Sequence, residues 1–280
     1  MKKRILSLAM ALALCLTLLP TAALAEGAET VSKLNFAFSQ PSGEANYTIK
    51  GGGKAKWEPG TDGAPNKLTL DNVVMNDDYN IVRVPANTEI ILIGTNKITA
   101  TNGNAIWAMN APLEITGSGS LEVTAPLTAG NYALYSSNTG SIDVNIGGAL
   151  TVNGSIRADG GALSIQSGDA ISVTGSMYGK QKITAIAGKS LSITNTSNTA
   201  VFASSCNEVS LAAQDGDLTV SGAGTNYAYG IDGDYSKTAL KLHASGNVSV
   251  TGTKYSVQGK TLELSGTILE NSTLTADGTK

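Results

Sequence analysis

Seven aromatic or arginine side chains recur at the centre of a short pattern, each flanked by apolar or small residues. Because side chains alternate across a strand, buried flanks put the central residue on the outer surface. Aromatic rings pack on the C–H faces of sugars, and arginine binds carboxylate oxygens with two parallel hydrogen bonds. These residues are therefore candidates for ligand binding: Arg83, Trp107, Tyr135, Arg157, Tyr178, Phe202 and Tyr229.

An outward row of such residues would suit an extended polysaccharide, because stacked strands lie only about 4.8 Å apart. The same pattern has a second explanation. Aromatic residues are favoured on any exposed strand, where neighbouring pairs stabilise each other by about 0.2–1 kcal/mol. The row could also lie beneath a loop or inside a protein interface. From the sequence, ligand binding and packing both remain open.

The strands that position these residues can be predicted from a short apolar–x–apolar pattern, here called a beat, that recurs after eight residues. Leu113-x-Ile115 is followed by Leu121-x-Val123, and Leu163-x-Ile165 by Ile171-x-Val173. Each beat alternates apolar and polar residues, which predicts a strand with one buried face. With the variable beat that holds the central residues, each repeat has three short strands and recurs every 20 to 30 residues. Equal corners predict an all-β fold, a parallel β-helix of seven to eight coils, rather than a propeller or a sandwich.

Two kinds of acidic group are candidates for a metal ion, and calcium is the ion that prefers such hard oxygen ligands. The first is a pair, Glu114 and Asp143, which should lie side by side on the outer face of the second strand. The second is a set of acidic turns containing Asp215, Asp217, Asp232 and Asp234. These turns lack the glycine and glutamate spacing of an EF-hand, so ordinary turn chemistry explains them. We predict no cofactor, with calcium as the alternative.

Catalytic constellations are sparse in this sequence. The single histidine, His243, follows a strand at a corner and has no Asp–Ser pattern nearby. Cys206 is predicted to be a buried, inert thiol. The Glu114–Asp143 pair could perform acid–base chemistry, but no lysine or arginine lies beside it on the same row. We therefore expect a protein that is not an enzyme.

Three segments carry a resemblance to a known group of proteins: Lys67-Leu-Thr-Leu-Asp-Asn-Val-Val74, Glu89-Ile-Ile-Leu-Ile-Gly-Thr-Asn-Lys-Ile98 and Leu113-Glu-Ile-Thr-Gly-Ser-Gly-Ser-Leu-Glu-Val123. They resemble secreted Gram-positive parallel β-helix proteins of the pectate-lyase-like superfamily, some of which are labelled carbohydrate-binding. The resemblance covers Trp57 to Val123 well and the remainder only as a pattern. It implies a right-handed parallel β-helix, placement at the cell surface or outside the cell, and polysaccharide binding. It transfers no catalytic residue, because no active-site motif matches.

The first 25 residues read as a signal peptide. Lys2-Lys3-Arg4 precedes an apolar run, and Ala23-Leu24-Ala25 forms a small-x-small cleavage site before Glu26. We therefore expect a secreted or cell-surface protein. Residues 26–67 do not follow the repeat and are predicted to form a cap of a strand pair and a loop over one end of the β-helix, which occupies 68–280. No second apolar stretch predicts a membrane span, and the net charge of −3 gives no reason to expect nucleic acid as a partner.

Three functions are compatible with these features. The first is a non-catalytic surface protein that binds an extended polysaccharide through its outward aromatic and arginine residues. The second is an adhesin-like or structural module whose partners are other surface proteins. The third is a calcium-dependent polysaccharide lyase or hydrolase, which pectate lyases exemplify on this fold.

Overall fold

Strands, most of them stacked in parallel, are the main elements of the described fold. The computed structural model describes residues 28–224 and 228–268, and these contain no helix. Consequently, no helix that could cross a membrane is found in the described ranges. The predicted signal peptide at 1–25 lies outside them, as does the C-terminal end of the predicted β-helix beyond residue 268.

The strands are short and closely spaced along the chain. The N-terminal segment holds β1 (Glu29–Val31), β2 (Leu34–Asn35), β3 (Ala45–Ile49) and β4 (Lys54–Glu58). The first four coils are β5 (Asn66–Asp71), β6 (Val74–Asp77), β7 (Val82–Val84), β8 (Thr88–Ile93), β9 (Thr95–Ala100), β10 (Ile106–Ala108), β11 (Leu113–Gly117), β12 (Ser120–Thr124), β13 (Leu134–Ser136), β14 (Ile142–Ile146), β15 (Leu150–Asn153) and β16 (Ile156–Ala158). The later coils are β17 (Leu163–Ser167), β18 (Ile171–Thr174), β19 (Met177–Tyr178), β20 (Lys182–Ala187), β21 (Leu191–Asn195), β22 (Val201–Ala203), β23 (Glu208–Ala213), β24 (Leu218–Gly222), β25 (Tyr229–Gly233), β26 (Ala239–Gly252), β27 (Tyr255–Gln258) and β28 (Thr261–Ile268).

Most strands pair with the strand three positions further along the chain, which gives three walls. The first wall runs from β5 through β8 and β11 to β26 and β28, and the second from β6 through β9 and β12 to β26. The third wall is a separate nine-stranded sheet from β2 and β7 to β27. All pairings along the walls are parallel. The predicted parallel β-helix is therefore confirmed, with about eight coils in the described residues.

In the core, inward-facing side chains at the same register position of successive coils stack into columns. Leu68, Ile90 and Ile115 pair in succession on the first wall, and all three side chains are fully buried. The column continues through Val144 and Ile165. Burying apolar side chains of this size stabilises the fold by about 1.5–3 kcal/mol each. The period-two alternation of the sequence is thus the direct consequence of one continuous apolar interior.

Glycine and asparagine make the corners between walls possible. Gly117 ends β11 with a φ of 112°, and a Cβ there would lie 2.3 Å from the backbone oxygen of Leu92 in the coil below. Asn96, the second residue of β9, is completely buried next to another corner, and its side-chain oxygen accepts the Val73 amide hydrogen at 3.1 Å. A buried amide group needs such a partner, because leaving it unpaired costs about 1–3 kcal/mol.

The N-terminal segment contains a strand pair at one end of the stack. β3 and β4 pair antiparallel, and β4 pairs antiparallel with β5. Trp57 on β4 is fully buried, and its ring centroid lies 4.5 Å from that of Phe36. Both rings belong to the same buried cluster as the coil interiors. Lys33 forms ion pairs with Asp77 and Asp78 of the first coil, which holds the beginning of the described chain against the stack.

Candidate functional site

Six of the seven predicted ligand-binding residues form one continuous row on the third wall. Their backbones pair in direct succession, one residue in each of six coils. We call this row the ladder: Arg83, Trp107, Tyr135, Arg157, Tyr178 and Phe202. The flanking residues, such as Ile106 and Ala108, are fully buried, while every ladder side chain is half-buried. The predicted outward orientation is confirmed.

Tyr229 is not part of the ladder, so its predicted position is wrong. Phe202 pairs with Asp232, and Val201 pairs with Ile231. Ile231 is the large apolar residue that fills the interior at this coil, and that requirement sets the register. Tyr229 instead pairs with Tyr255 in the next coil, with ring centroids 5.6 Å apart.

The ladder side chains stack on one another along the axis of the solenoid. The Arg83 guanidinium lies 4.2 Å from the ring centroid of Phe38 and 4.1 Å from that of Trp107. The Trp107 and Tyr135 rings are stacked with centroids 5.8 Å apart and an interplanar angle of 30°. Ring faces in this part of the ladder therefore contact neighbouring rungs, and a ligand would meet ring edges and polar groups. The sequence led us to expect sugars packed on ring faces, but in this part of the ladder neighbouring side chains contact those faces.

A shared carboxylate joins the middle of the ladder. Tyr135 donates its hydroxyl hydrogen to Oδ2 of Asp159 at 2.9 Å, and Nε of Arg157 donates to Oδ1 at 2.6 Å. Burial, reinforced by the hydrogen bond to Asp159, raises the pKa of Tyr135 to about 12. Burial lowers the pKa of Arg157, but Asp159, Tyr132 and Tyr178 together outweigh that effect, so the net pKa is raised. Both groups thus stay protonated at neutral pH.

Three side chains near the ladder escaped prediction. Phe38 comes from the N-terminal segment, and Tyr132 precedes its strand, with its ring centroid 4.8 Å from that of Tyr135. Neither belongs to the repeat, so no periodic signal marks them. Asp159 lies two residues after Arg157, a spacing that places both side chains on the same side of a strand. That spacing is a signal that could have found it.

The first wall carries the predicted pair of carboxylates together with a third. Glu114 pairs with Asp143 as predicted, and it also pairs with Glu89 on the other side. Burial raises the pKa of Glu114, and the charges of Glu89 and Asp143 raise it further. No group of three or more acidic, cysteine or histidine side chains in the described ranges is arranged to hold a metal ion. Lys67 is in register with Glu89, so a basic residue does lie on this row, two rungs from Glu114.

The acidic turns divide into true turns and one strand residue. Asp215 is exposed in a turn, and Oδ1 of Asp217 accepts the Asn247 amide hydrogen at 2.7 Å. Asp234 closes a turn by accepting hydrogen bonds from the amide and hydroxyl of Ser236 at 2.8 and 2.6 Å. Asp232 lies in β25 on the third wall, so its assignment to a turn is wrong. Burial raises the pKa of Asp232, and the nearby Lys254 partly opposes this.

His243, the single histidine, and Cys206, the cysteine outside the predicted signal peptide, have different surroundings. His243 lies within β26 and not at a corner, because this strand continues unbroken through the bend between two walls. Its Nδ1 is 2.6 Å from the hydroxyl of Ser265 in the next coil. Cys206 is fully buried, as predicted, and its thiol lies 3.2 Å from the Gly179 carbonyl oxygen. Burial raises the pKa of this thiol to about 11, which keeps it protonated and unreactive at neutral pH.

No protein-family model, curated protein or solved structure matches this chain. The resemblance to secreted β-helix proteins therefore stays a prediction from the sequence, and the function is argued from the geometry of the ladder.

Proposed function

We propose that this protein is a non-catalytic β-solenoid that binds an extended polysaccharide along the ladder. The observation that carries the proposal is the continuous, half-exposed row of aromatic and arginine side chains across six successive coils. Five steps of about 4.8 Å give the row a length of roughly 24 Å, which suits a linear chain rather than a single sugar. We also propose that the protein acts outside the cytoplasm or at the cell surface, because residues 1–25 have the sequence pattern of a signal peptide.

The chemistry of the row supports binding of a hydroxyl-rich chain. Ring edges and guanidinium groups offer a mixed surface that is apolar in part and rich in hydrogen-bond donors. The stacking of Arg83, Trp107 and Tyr135 fixes these side chains before any ligand arrives. Binding then orders few side chains, and each rotamer-rich side chain left free would cost about 0.5–1.5 kcal/mol.

The protonation states along the ladder favour binding over catalysis. An efficient general acid or base has a pKa near the working pH. The pKa of Tyr135 is about 12, and that of Arg157 is raised above its already high ordinary value. Neither group exchanges protons readily at neutral pH, so the ladder is suited to holding a ligand unchanged.

A protein partner is the second candidate, and Phe38 favours it. This ring is 71% exposed while it also contacts the Arg83 guanidinium. Aromatic and arginine residues dominate the energetics of protein interfaces. A surface protein that docked on the same row would use Phe38 as an anchor at its N-terminal end.

The test is binding of the purified mature chain to a glycan array, followed by affinity measurements with the sugars that bind. The double variant Trp107→Ala with Tyr135→Ala should lose glycan binding, because it removes the stacked centre of the ladder. Tyr235→Ala is the control, since Tyr235 is 68% exposed in the turn before β26 and is not a ladder residue. Circular dichroism should show a native β-spectrum for every variant.

Glycan binding that survives in the double variant would contradict the proposal for this surface. Absence of glycan binding together with capture of a defined surface protein, lost in Phe38→Ala, would favour the second candidate.

A further inference from the structure

The two arginines of the ladder have opposite electrostatic surroundings. Arg157 is neutralised by Asp159, whose carboxylate oxygen is 2.6 Å from the guanidinium. Arg83 forms no ion pair with any carboxylate in the described ranges. The acidic residues that precede it most closely, Asp77 and Asp78, are bound to Lys33.

The Arg83 guanidinium makes only weak hydrogen bonds within the protein. One terminal nitrogen lies 2.8 Å from the Met109 sulfur, which is a weak acceptor. The Nε atom is buried and has no hydrogen-bond partner. Burial lowers the pKa of Arg83, although an arginine remains charged at neutral pH in any case. A half-buried cation with an unpaired buried donor is unusual, because buried donors are normally paired.

Two aromatic rings clamp Arg83 in a fixed orientation. The guanidinium carbon lies over the Phe38 ring at 4.2 Å and over the Trp107 ring at 4.1 Å from the ring centroids, so both rings pack against the planar group. With both rings packed against the group and Nε buried, only the terminal edge with Nη1 and Nη2 is left for a ligand, and that edge carries N–H donors. An edge of this kind matches the two oxygens of a carboxylate or a sulfate group in a bidentate arrangement.

We infer that Arg83 is the docking point for an oxyanion on the polysaccharide, so that the ligand is an acidic glycan carrying carboxylate or sulfate groups. This inference rests on the proposed function of the ladder and adds the chemical class of its ligand. Arg83 supplies the charge-assisted contact at the N-terminal end, while the rest of the ladder holds the sugar chain. Arg157 plays no such part, because Asp159 already neutralises its charge and binds its Nε.

Three soluble derivatives of one backbone separate charge from sugar recognition. Hydroxyethyl cellulose is neutral, carboxymethyl cellulose carries carboxylates and cellulose sulfate carries sulfate esters. Isothermal titration calorimetry on the wild-type chain should give at least about tenfold tighter binding to an acidic derivative than to the neutral one, as expected for a charge-assisted hydrogen bond. The acidic derivative that binds tighter identifies the oxyanion as carboxylate or sulfate.

Arg83→Gln should abolish the preference for the acidic derivative, so that the ratio of its affinities for the acidic and the neutral derivative falls from at least about tenfold to about one. Arg83→Lys keeps the charge but loses the planar fork, so it should retain part of the preference. Lys67→Gln is the control, because it changes the net charge equally on the exposed first wall and should keep the full preference.

Equal binding of all three celluloses by the wild type, or a preference that persists in Arg83→Gln, would overturn the acidic-glycan inference while the polysaccharide proposal stood. Failure to bind any of the three would also overturn it, and the glycan array with Trp107→Ala and Tyr135→Ala then decides the wider proposal separately.

Discussion

Tyr135 and Asp159 are joined by a hydrogen bond of 2.9 Å, although they lie in consecutive coils and 24 residues apart in the chain. The same carboxylate binds Arg157, so a single acidic side chain ties two rungs of the ladder together. Hydrogen bonds to a charged group are worth more than neutral ones, and this cluster is partly shielded from water. Asp159 is therefore the residue that stabilises the middle of the ladder.

Replacing Asp159 by asparagine should destabilise the protein by about 1–2 kcal/mol, because the Arg157 charge loses its partner and the Tyr135 bond weakens. The measurement is urea unfolding followed by circular dichroism. Asp169→Asn is the control, since it breaks an ion pair with Lys189 that is more exposed to solvent. Exposed pairs contribute little, so the control should lose clearly less stability. Equal losses in the two variants would contradict the role of Asp159.

Alkaline titration should report the same contact. The pKa of Tyr135 is about 12 in the folded protein, against 10.0 for an ordinary tyrosine. Because the folded pKa is the higher one, the stabilisation is fully present below pH 10 and is lost as the pH rises towards 12. In Asp159→Asn the Tyr135 pKa should fall but stay above that of a free tyrosine, because burial is the larger cause. Carbon-13 NMR of labelled tyrosines resolves this shift, and an unchanged Tyr135 pKa would be evidence against the hydrogen bond.

The walls could be predicted because the interior imposes one rule on every coil. Ile90 and Ile115 must both point inward at the same register position, and the period-two pattern records that demand. The adjacency of Glu114 and Asp143 followed from the same rule. The pairing of Glu114 with Glu89 follows from it too, since Glu89 immediately precedes Ile90.

The end of the ladder could not be found in this way. Counting from the pattern centred on Tyr229, whose two neighbours are small residues, gave the wrong register. Ile231 takes the buried position because it packs into the interior, and Asp232 follows it on the outer face. The stacking of Arg83 between Phe38 and Trp107 was equally hidden, because Phe38 comes from a segment without periodicity.

The row of three carboxylates on the first wall should be a site of repulsion. Burial and the neighbouring charges of Glu89 and Asp143 raise the pKa of Glu114. A raised folded pKa means that stability is greatest below the ordinary glutamate pKa and is lost as the pH rises through the folded value. Glu114→Gln should therefore stabilise the protein at pH 7, by less than about 1 kcal/mol, and the gain should vanish in acid.

Glu263→Gln is the matched control for that prediction. Glu263 lies on the same wall, but its register partner is Lys241, so removing its charge deletes an attraction instead of a repulsion. Thermal unfolding should show a higher melting temperature for Glu114→Gln at pH 7 but not at pH 4, and no gain for Glu263→Gln at either pH. A lower melting temperature for Glu114→Gln at pH 7 would show that repulsion does not dominate this row.

The pairing of Phe202 with Asp232 can be tested by cross-linking. In-register neighbours on parallel strands have Cα atoms about 4.8 Å apart, which is within the range that a disulfide can span. The double variant Phe202→Cys with Asp232→Cys should therefore form an intramolecular disulfide under mild oxidation, measured by mass spectrometry. Cys206 should not interfere, because it is buried and its thiol pKa is about 11.

The alternative register makes the opposite prediction for a second pair. Tyr229 is three residues before Asp232, which displaces it by roughly 10 Å along the strand from the partner of Phe202. Phe202→Cys with Tyr229→Cys should thus stay reduced under the same conditions, since Cα atoms more than about 7 Å apart cannot be bridged without backbone movement. If this second pair formed the disulfide and the first did not, the ladder would extend to Tyr229, and Asp232 would lie outside the row.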